Sequence, residues 1–410
     1  MELHPAIKDI KIEFTEDGLT KHGLFGLLAW YLTEILDFEK RCELLTVKKK
    51  RNRDKNKSVK RRKSKFPAPK LCIGIVTTIL LGIKRFEKVN DKLHDEVRTA
   101  NMIGLEKFFD RSTARNFINE FQLWHLEQLD QININLLNDF GESFRQDFAV
   151  LDIDATTHSV ESKKREGAIP GYNKKNRGKP CYQWSVGFIR DEIVSQVLSK
   201  GNTHCSQKFE YILNDVRGKL GTTNLIIRLD GGYLSADTLN YTVEKGLQIT
   251  ITCQIAHVMA QKENKIDMSK WFDYDKTTKL LDAGLVKVVS GCSHTFRVIF
   301  VKQRQEKIKV VDDKIRKITK TKSYAIVSRL NAEMSAGAVY EFHHQRQTIE
   351  NFFKESKNPF NSSKMPSQKF RGNEAYLHLV TLAYNCFTLF KKDICQRSGK
   401  ETVLKRLKIK

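Results

Sequence analysis

The sequence predicts an α/β domain that carries a mainly β insertion and is preceded by a helical region. Three observations carry that reading. Residues 24–137 hold apolar side chains at helical spacing, and residues 148–253 alternate β-rich runs with amphipathic stretches. Residues 257–330 then add three β-branched and aromatic runs separated by lysine-rich turns. With 410 residues the chain can form one large or two to three ordinary domains, and 40% hydrophobic content supports a real core.

In chain order, Leu24, Phe25, Leu27, Leu28, Tyr31, Leu32, Ile35 and Leu36 predict a helix over 24–42. Residues 48–65, KKKRNRDKNKSVKRRKSK, repel one another and have almost nothing to bury, so a loop is expected. Pro67 and Pro69 precede a helix over 71–83, and a shorter helix is expected over 103–109. Asp110-Arg111-Ser112 reads as a turn with Ser112 as cap, opening a long helix over 113–137. That corner suits a helix-turn-helix and equally an ordinary corner of a helical domain. Residues 1–140 are read as a helical DNA-contacting domain.

The texture changes at Phe148. Residues 148–154, FAVLDID, form a strand with Asp152 and Asp154 on one face. The segment 167–183 carries Lys174, Lys175, Arg177 and Lys179, which suit a mobile phosphate-contacting hairpin or loop. Strands over 184–190 and 193–198 flank an Asp191-Glu192 turn, and a helix covers 209–216. The strand over 225–229 ends at Asp230; Ser235 caps a helix over 236–244, and a strand follows over 247–253. Asp154 and Asp230 thus fall at strand ends, where open α/β sheets place their sites. Strands over 279–288, 294–303 and 323–328 make up the insertion. Residues 340–357, YEFHHQRQTIENFFKESK, lack Pro and Gly and predict one helix with Arg346, Glu350 and Lys357 on one face. A last apolar helix covers 373–390, and a basic tail 397–410. The expected organisation is 1–140, a catalytic domain in two parts over 145–256 and 331–392, the insertion over 257–330, and a tail over 393–410.

A net charge of +24 favours a polyanionic partner, nucleic acid above all, but sets the partner class and not the reaction. Lys48, Lys49, Lys50, Arg51, Lys60, Arg61, Arg62 and Lys63 are candidate phosphate contacts, salt-dependent and blind to sequence. The apolar window 73–83 is too short to span a bilayer and no signal peptide is evident, so a cytoplasmic protein without membrane partner is expected. Eight scattered cysteines read as reduced thiols. G-x-S-x-G, Walker and dinucleotide signatures are absent. His343-His344 is a poor zinc pair, since adjacent helical residues point about 100° apart. Three convergent carboxylates, by contrast, can hold two hard divalent ions.

VLDIDATTHS at 150–159, GYNKKNRGKPCY at 171–182, IIRLDGGYLS at 226–235, RQTIENFFKESK at 346–357 and FRGNEAYLHLVTLAYN at 370–385 resemble DDE transposases of bacterial insertion sequences. More narrowly, they resemble the group with a β-strand insertion in an RNase H-like catalytic domain and a Tyr-Arg-Glu-Lys signature helix. The resemblance spans roughly residues 20–390 and departs at His343, where the group has Tyr, and at Gly231, where it often has Ser. It implies Asp154, Asp230 and Glu350 as catalytic metal ligands for Mg²⁺ or Mn²⁺, two ions per site. Arg346, Lys357 and His343 would contact DNA. Asp152 competes with Asp154 on the same strand face; Asp154, nearer the strand's end and opening the matching DATT segment, is preferred, with Asp152 as a supporting acid. It further implies binding of terminal inverted repeats, cleavage at the ends, joining of 3′-hydroxyls to target duplex, and a homodimer in a synaptic complex. A nuclease of the same fold that cuts without joining, and an inactive DNA-binding descendant, are the alternative readings.

Overall fold

The computed structural model describes residues 20–47, 66–146, 148–162, 164–173, 176–221, 224–311, 314–357 and 359–398, with 307–311, 314–318, 347–348, 350–351 and 395–398 described by backbone alone. The basic run 48–65, Lys174, Lys175 and residues 399–410 lie outside the described residues.

An N-terminal helical region comes first. α1 (Phe25–Trp30) runs into a π turn at Tyr31–Ile35, and Asp37 at φ 45° separates it from α2 (Phe38–Arg41). The expected helix over 24–42 is therefore broken, at a residue type that tolerates left-handed backbone. α3 (Ala68–Leu80) starts earlier than expected, because Pro69 sits in the first turn, where its missing N–H costs no helical bond. α4 (Glu87–Leu93) and α5 (Val97–Asn101) follow.

The helix expected over 103–109 does not form. Gly104 at φ 72° turns the chain, while Ile103, Leu105, Phe108 and Phe109 are buried from irregular backbone. The single helix expected over 113–137 is two, α6 (Arg111–Asn119) and α7 (Leu123–Phe140). Gln122 between them is extended, and its N–H donates to His125 Nδ1 at 3.0 Å, an N-terminal cap that starts α7 afresh. Asp110, not Ser112, occupies the N-cap position of α6.

The remainder is a mixed sheet with helices. Its elements are β1 (Ala149–Ser159), β2 (Ile169–Pro170), β3 (Pro180–Ile189), β4 (Glu192–Lys200), α8 (Phe209–Leu220), β5 (Leu225–Leu229), α9 (Ala236–Glu244), β6 (Gln248–Cys253) and α10 (Ile255–Met259). Then come β7 (Phe272–Asp273), β8 (Thr278–Val286), β9 (Phe296–Val311), β10 (Lys314–Ser328), α11 (Ala336–His344), α12 (Gln347–Lys357) and α13 (Phe370–Ser398). β1, β5 and β6 pair in parallel at the centre, with α9 as the crossover between the last two. β3 lies antiparallel outside β1, and β2 and β4 share its outer edge. The turn joining β3 to β4 is Arg190-Asp191, with Arg190 at φ 53°; Glu192, expected in the turn, is the first residue of β4.

β10, β9, β8 and β7 continue the same sheet beyond β6, since Ala325 pairs with Cys253 and Ser328 with Thr250. The lysine-rich stretch expected as turns between strands is itself strand. β8 accompanies β9 only as far as Gln303, so from Arg304 and Thr321 outward β9 and β10 form a two-stranded ribbon among the described residues.

Apolar cores cover both faces of the sheet. Leu151, Ile153, Ile227, Leu229, Ile249 and Ile251 pack with Phe209, Ile212 and Leu239 from α8 and α9. On the other face, Trp184, Val186 and Phe188 of β3 join Phe352 of α12, Tyr384 of α13 and the N-terminal helices in one continuous core. α12 is thus fastened by Phe352, whose ring lies 4.6 Å from both Phe188 and Tyr384.

Candidate active site

The register of two strands brings the candidate acids together. In the parallel β1–β5 pair Ile153 lies opposite Leu229, so the next residues along, Asp154 and Asp230, sit side by side where the pairing ends. β1 itself does not end there, as the sequence reading expected; it runs on to Ser159, held by β3 with Asp154 opposite Val186. Asp230 caps the following turn, its Oδ1 accepting from Gly232 N at 2.9 Å. Asp154 Oδ1 accepts from Ala155 N at 2.7 Å.

α11 and α12 cross over this end of the sheet, and here the structure corrects the expectation of one helix. A turn at Gln345-Arg346, between His344 and Gln347, separates the two helices, although the Gln345 N–H still donates to Glu341 O at 3.1 Å. Each half is anchored separately: α12 by Phe352, α11 by His343 and the Phe342 carbonyl. Arg346 lies at the joint and is 7% exposed. Its Nη2 is 2.7 Å from Asp154 Oδ2. Burial works against its charge, yet Asp154, Asp230 and Asp152 outweigh that and hold its pKa above the ordinary guanidinium value. Glu350 lies one turn into α12, with its side chain outside the described residues.

Asp152, on the same face of β1 two residues earlier, has a different partner. Arg228 stands opposite it on β5 and donates to both carboxylate oxygens, Nε to Oδ1 at 2.7 Å and Nη2 to Oδ2 at 2.6 Å. The third nitrogen, Nη1, donates to Phe342 O at 2.8 Å, tying α11 to the sheet. Burial pushes the pKa of Asp152 up, against the pull of Arg228 and Arg346. Arg228 is not among the candidates named from sequence, although a lone cation in the apolar run LIIRL is a usable signal: buried there it needs an anion.

His343 does not point outward. Thr252 Oγ1 is 2.9 Å from its Nε2 and Thr250 Oγ1 is 2.8 Å from its Nδ1, so both ring nitrogens are taken by β6. His158, on the carboxylate face of β1, stacks obliquely on fully buried Trp184 at 5.6 Å. Tyr233 lies buried just past Asp230; burial and the charges of Asp154 and Asp230 push its phenol well up. The same causes push the Cys205 thiol up to about 12. Lys357 ends α12, half-buried, and Arg177 is exposed in the turn before β3. Among the described residues no group of three or more His, Cys, Asp or Glu stands ready to hold a metal ion.

Burial lowers His158, His343 and His378 to about 3 each. In the unfolded chain these rings take up protons near the ordinary 6.5, so between those values the unfolded state binds more protons. Their stabilising contribution is fully present above 6.5 and declines as pH falls toward 3, at about 1.4 kcal/mol per pH unit for each ring. His343→Gln is expected to remove one proton's worth of this slope in urea unfolding measured across acidic pH. An unchanged slope would mean that His343 protonates within the fold.

A family model described as transposase DDE domain group 1 matches residues 45–410. No curated protein matches the chain. Among solved structures, the Mos1 transposase paired-end complex with left transposon end aligns at 9% identity and a TM-score of 0.19, over 47% of this chain and 61% of that one. The chain therefore spans less than two thirds of that structure's length. No helix among the described residues is long and apolar enough to cross a membrane.

Proposed function

The chain belongs to the transposase DDE domain group 1 family, and from that premise we propose that it is a divalent-metal-dependent DNA transposase whose site is Asp154, Asp230 and Glu350. In this reading the fold is RNase H-like, the strands over 257–330 are its β insertion, and the substrate is duplex DNA at the ends of a mobile element. The observation that supports it best is the β1–β5 register, which leaves two carboxylates adjacent at the end of a parallel pair beneath the joint of α11 and α12.

The oxygen-only donor set fits a hard cation such as Mg²⁺ or Mn²⁺, and the site already attracts positive charge, since a guanidinium lies 2.7 Å from Asp154. Asp154, Asp230 and Glu350 would hold two such ions, whose chemistry is to activate an attacking water or 3′-hydroxyl and to stabilise the leaving oxygen. The protein's own part is positional. Backbone N–H groups of Ala155 and Gly232 orient the two aspartates. Arg228 and Asp152 lock β1 to β5, so the carboxylates cannot slip in register. Arg346 and Lys357 hold phosphates flanking the scissile bond, and a synaptic dimer brings two ends together.

The β9–β10 ribbon is proposed as a further DNA contact. Arg304, Lys320 and Lys322 are exposed at its base, and a two-stranded ribbon fits a DNA groove. Changing the three to Gln is expected to lower the slope of log affinity against log salt by up to about 0.9 per lost contact. An unchanged slope would remove the ribbon from the interface.

The test of function is a Mg²⁺- or Mn²⁺-dependent reaction on DNA carrying the element's two ends, with an unrelated plasmid as target. End cleavage followed by covalent joining supports the transposase. Cleavage without joining points to a nuclease, and tight binding without cleavage to an inactive descendant.

A further inference from the structure

We infer that Arg346 is an internal counter-ion for Asp154 that makes divalent-ion binding dependent on DNA; this rests on the proposed metal site. The guanidinium is 2.7 Å from Asp154 Oδ2, and both side chains are largely buried, at 9% and 14% exposure. A divalent ion at Asp154 would sit against that cation, and like charges at such range repel strongly where water is scarce. The residue proposed to hold a DNA phosphate is therefore the residue that neutralises the metal ligand when DNA is absent. A phosphate offers the guanidinium another anion, and its departure leaves Asp154 to the metal.

The inferred exchange of partners moves one side chain and asks no movement of either helix. Arg346 lies outside the regular turns of both α11 and α12, with its N–H donating to His343 O at 3.2 Å and its carbonyl accepting from Ile349 N at 3.2 Å. α11 is fixed to β6 through His343 and to β5 through Arg228, and α12 is fixed by Phe352. Swinging one side chain across a fixed joint disturbs none of these anchors. The coupling is reciprocal: a phosphate that withdraws Arg346 tightens metal binding by the factor by which metal tightens DNA.

The experiment titrates Mn²⁺ into the full chain, following free Mn²⁺ by electron paramagnetic resonance, with and without a short unrelated duplex whose own Mn²⁺ uptake is subtracted. Wild type is expected to bind Mn²⁺ about tenfold more tightly with duplex present. Arg346→Gln is expected to bind at the tighter value without duplex and to gain little from it. Wild type binding Mn²⁺ equally well in both states overturns the inference while leaving the metal site standing, and this arm needs no variant. Arg346→Gln, folded by circular dichroism, binding no more tightly than wild type without duplex also overturns it. No site-bound Mn²⁺ in any sample, or binding that survives Asp154→Asn, overturns the metal site and the inference together.

Discussion

Asp154→Asn, Asp230→Asn and Glu350→Gln are each expected to lower divalent-dependent DNA cleavage at least about 10³-fold, roughly 4 kcal/mol of barrier stabilisation. Each swap keeps the shape and removes the negative charge a hard cation requires. Binding of the same DNA should survive, because the basic side chains that hold phosphate are untouched. Gel-shift and cleavage assays on one preparation separate the two effects. A variant that cleaves within tenfold of wild type would strike that residue from the proposed triad.

The second large effect is on stability. Asp152→Asn leaves the buried Arg228 guanidinium without its anion, and Arg228→Met leaves Asp152 in the same position. Either change is expected to cost about 3–5 kcal/mol in urea unfolding, while the paired Asp152→Leu, Arg228→Met variant recovers much of the loss. That pattern would separate Asp152 from Asp154, two acids on one strand face that the sequence alone distinguishes poorly. An Asp152→Asn chain as stable as wild type, yet inactive, would instead make Asp152 a member of the reacting centre.

What was legible in the sequence was local. β5 (Leu225–Leu229), the Ser235 cap and α9 (Ala236–Glu244) follow from short-range signals, an apolar run closed by an acid and a hydroxyl before an amphipathic stretch, and the structure has the same bounds. What escaped depends on distant partners. Nothing between 340 and 357 marks a break, since neither Pro nor Gly is present. The helix divides at Gln345-Arg346 because His343 is held by Thr250 and Thr252 while Phe352 is held by β3 and α13. Glu350 and Lys357 remain seven residues apart on α12, while Arg346 stands just before its first residue. The Asp152–Arg228 pair needed the β1–β5 register, which no single strand encodes. The lysines of the β9–β10 ribbon suggest basic turns, because they mask a strand signal that cross-strand pairing supplies. The position of His343 in the motif suggests a phosphate contact, whereas Thr250 and Thr252 make it a fastener between α11 and β6.

The most direct test of the central claim is anomalous diffraction at the manganese edge from crystals of the full chain with Mn²⁺ and duplex DNA. The proposed site predicts anomalous density bounded by Asp154, Asp230 and Glu350, with the Arg346 guanidinium moved from Asp154 to a phosphate. Ordered manganese elsewhere, with Asp154 still paired to Arg346 and DNA seated over the site, would contradict it.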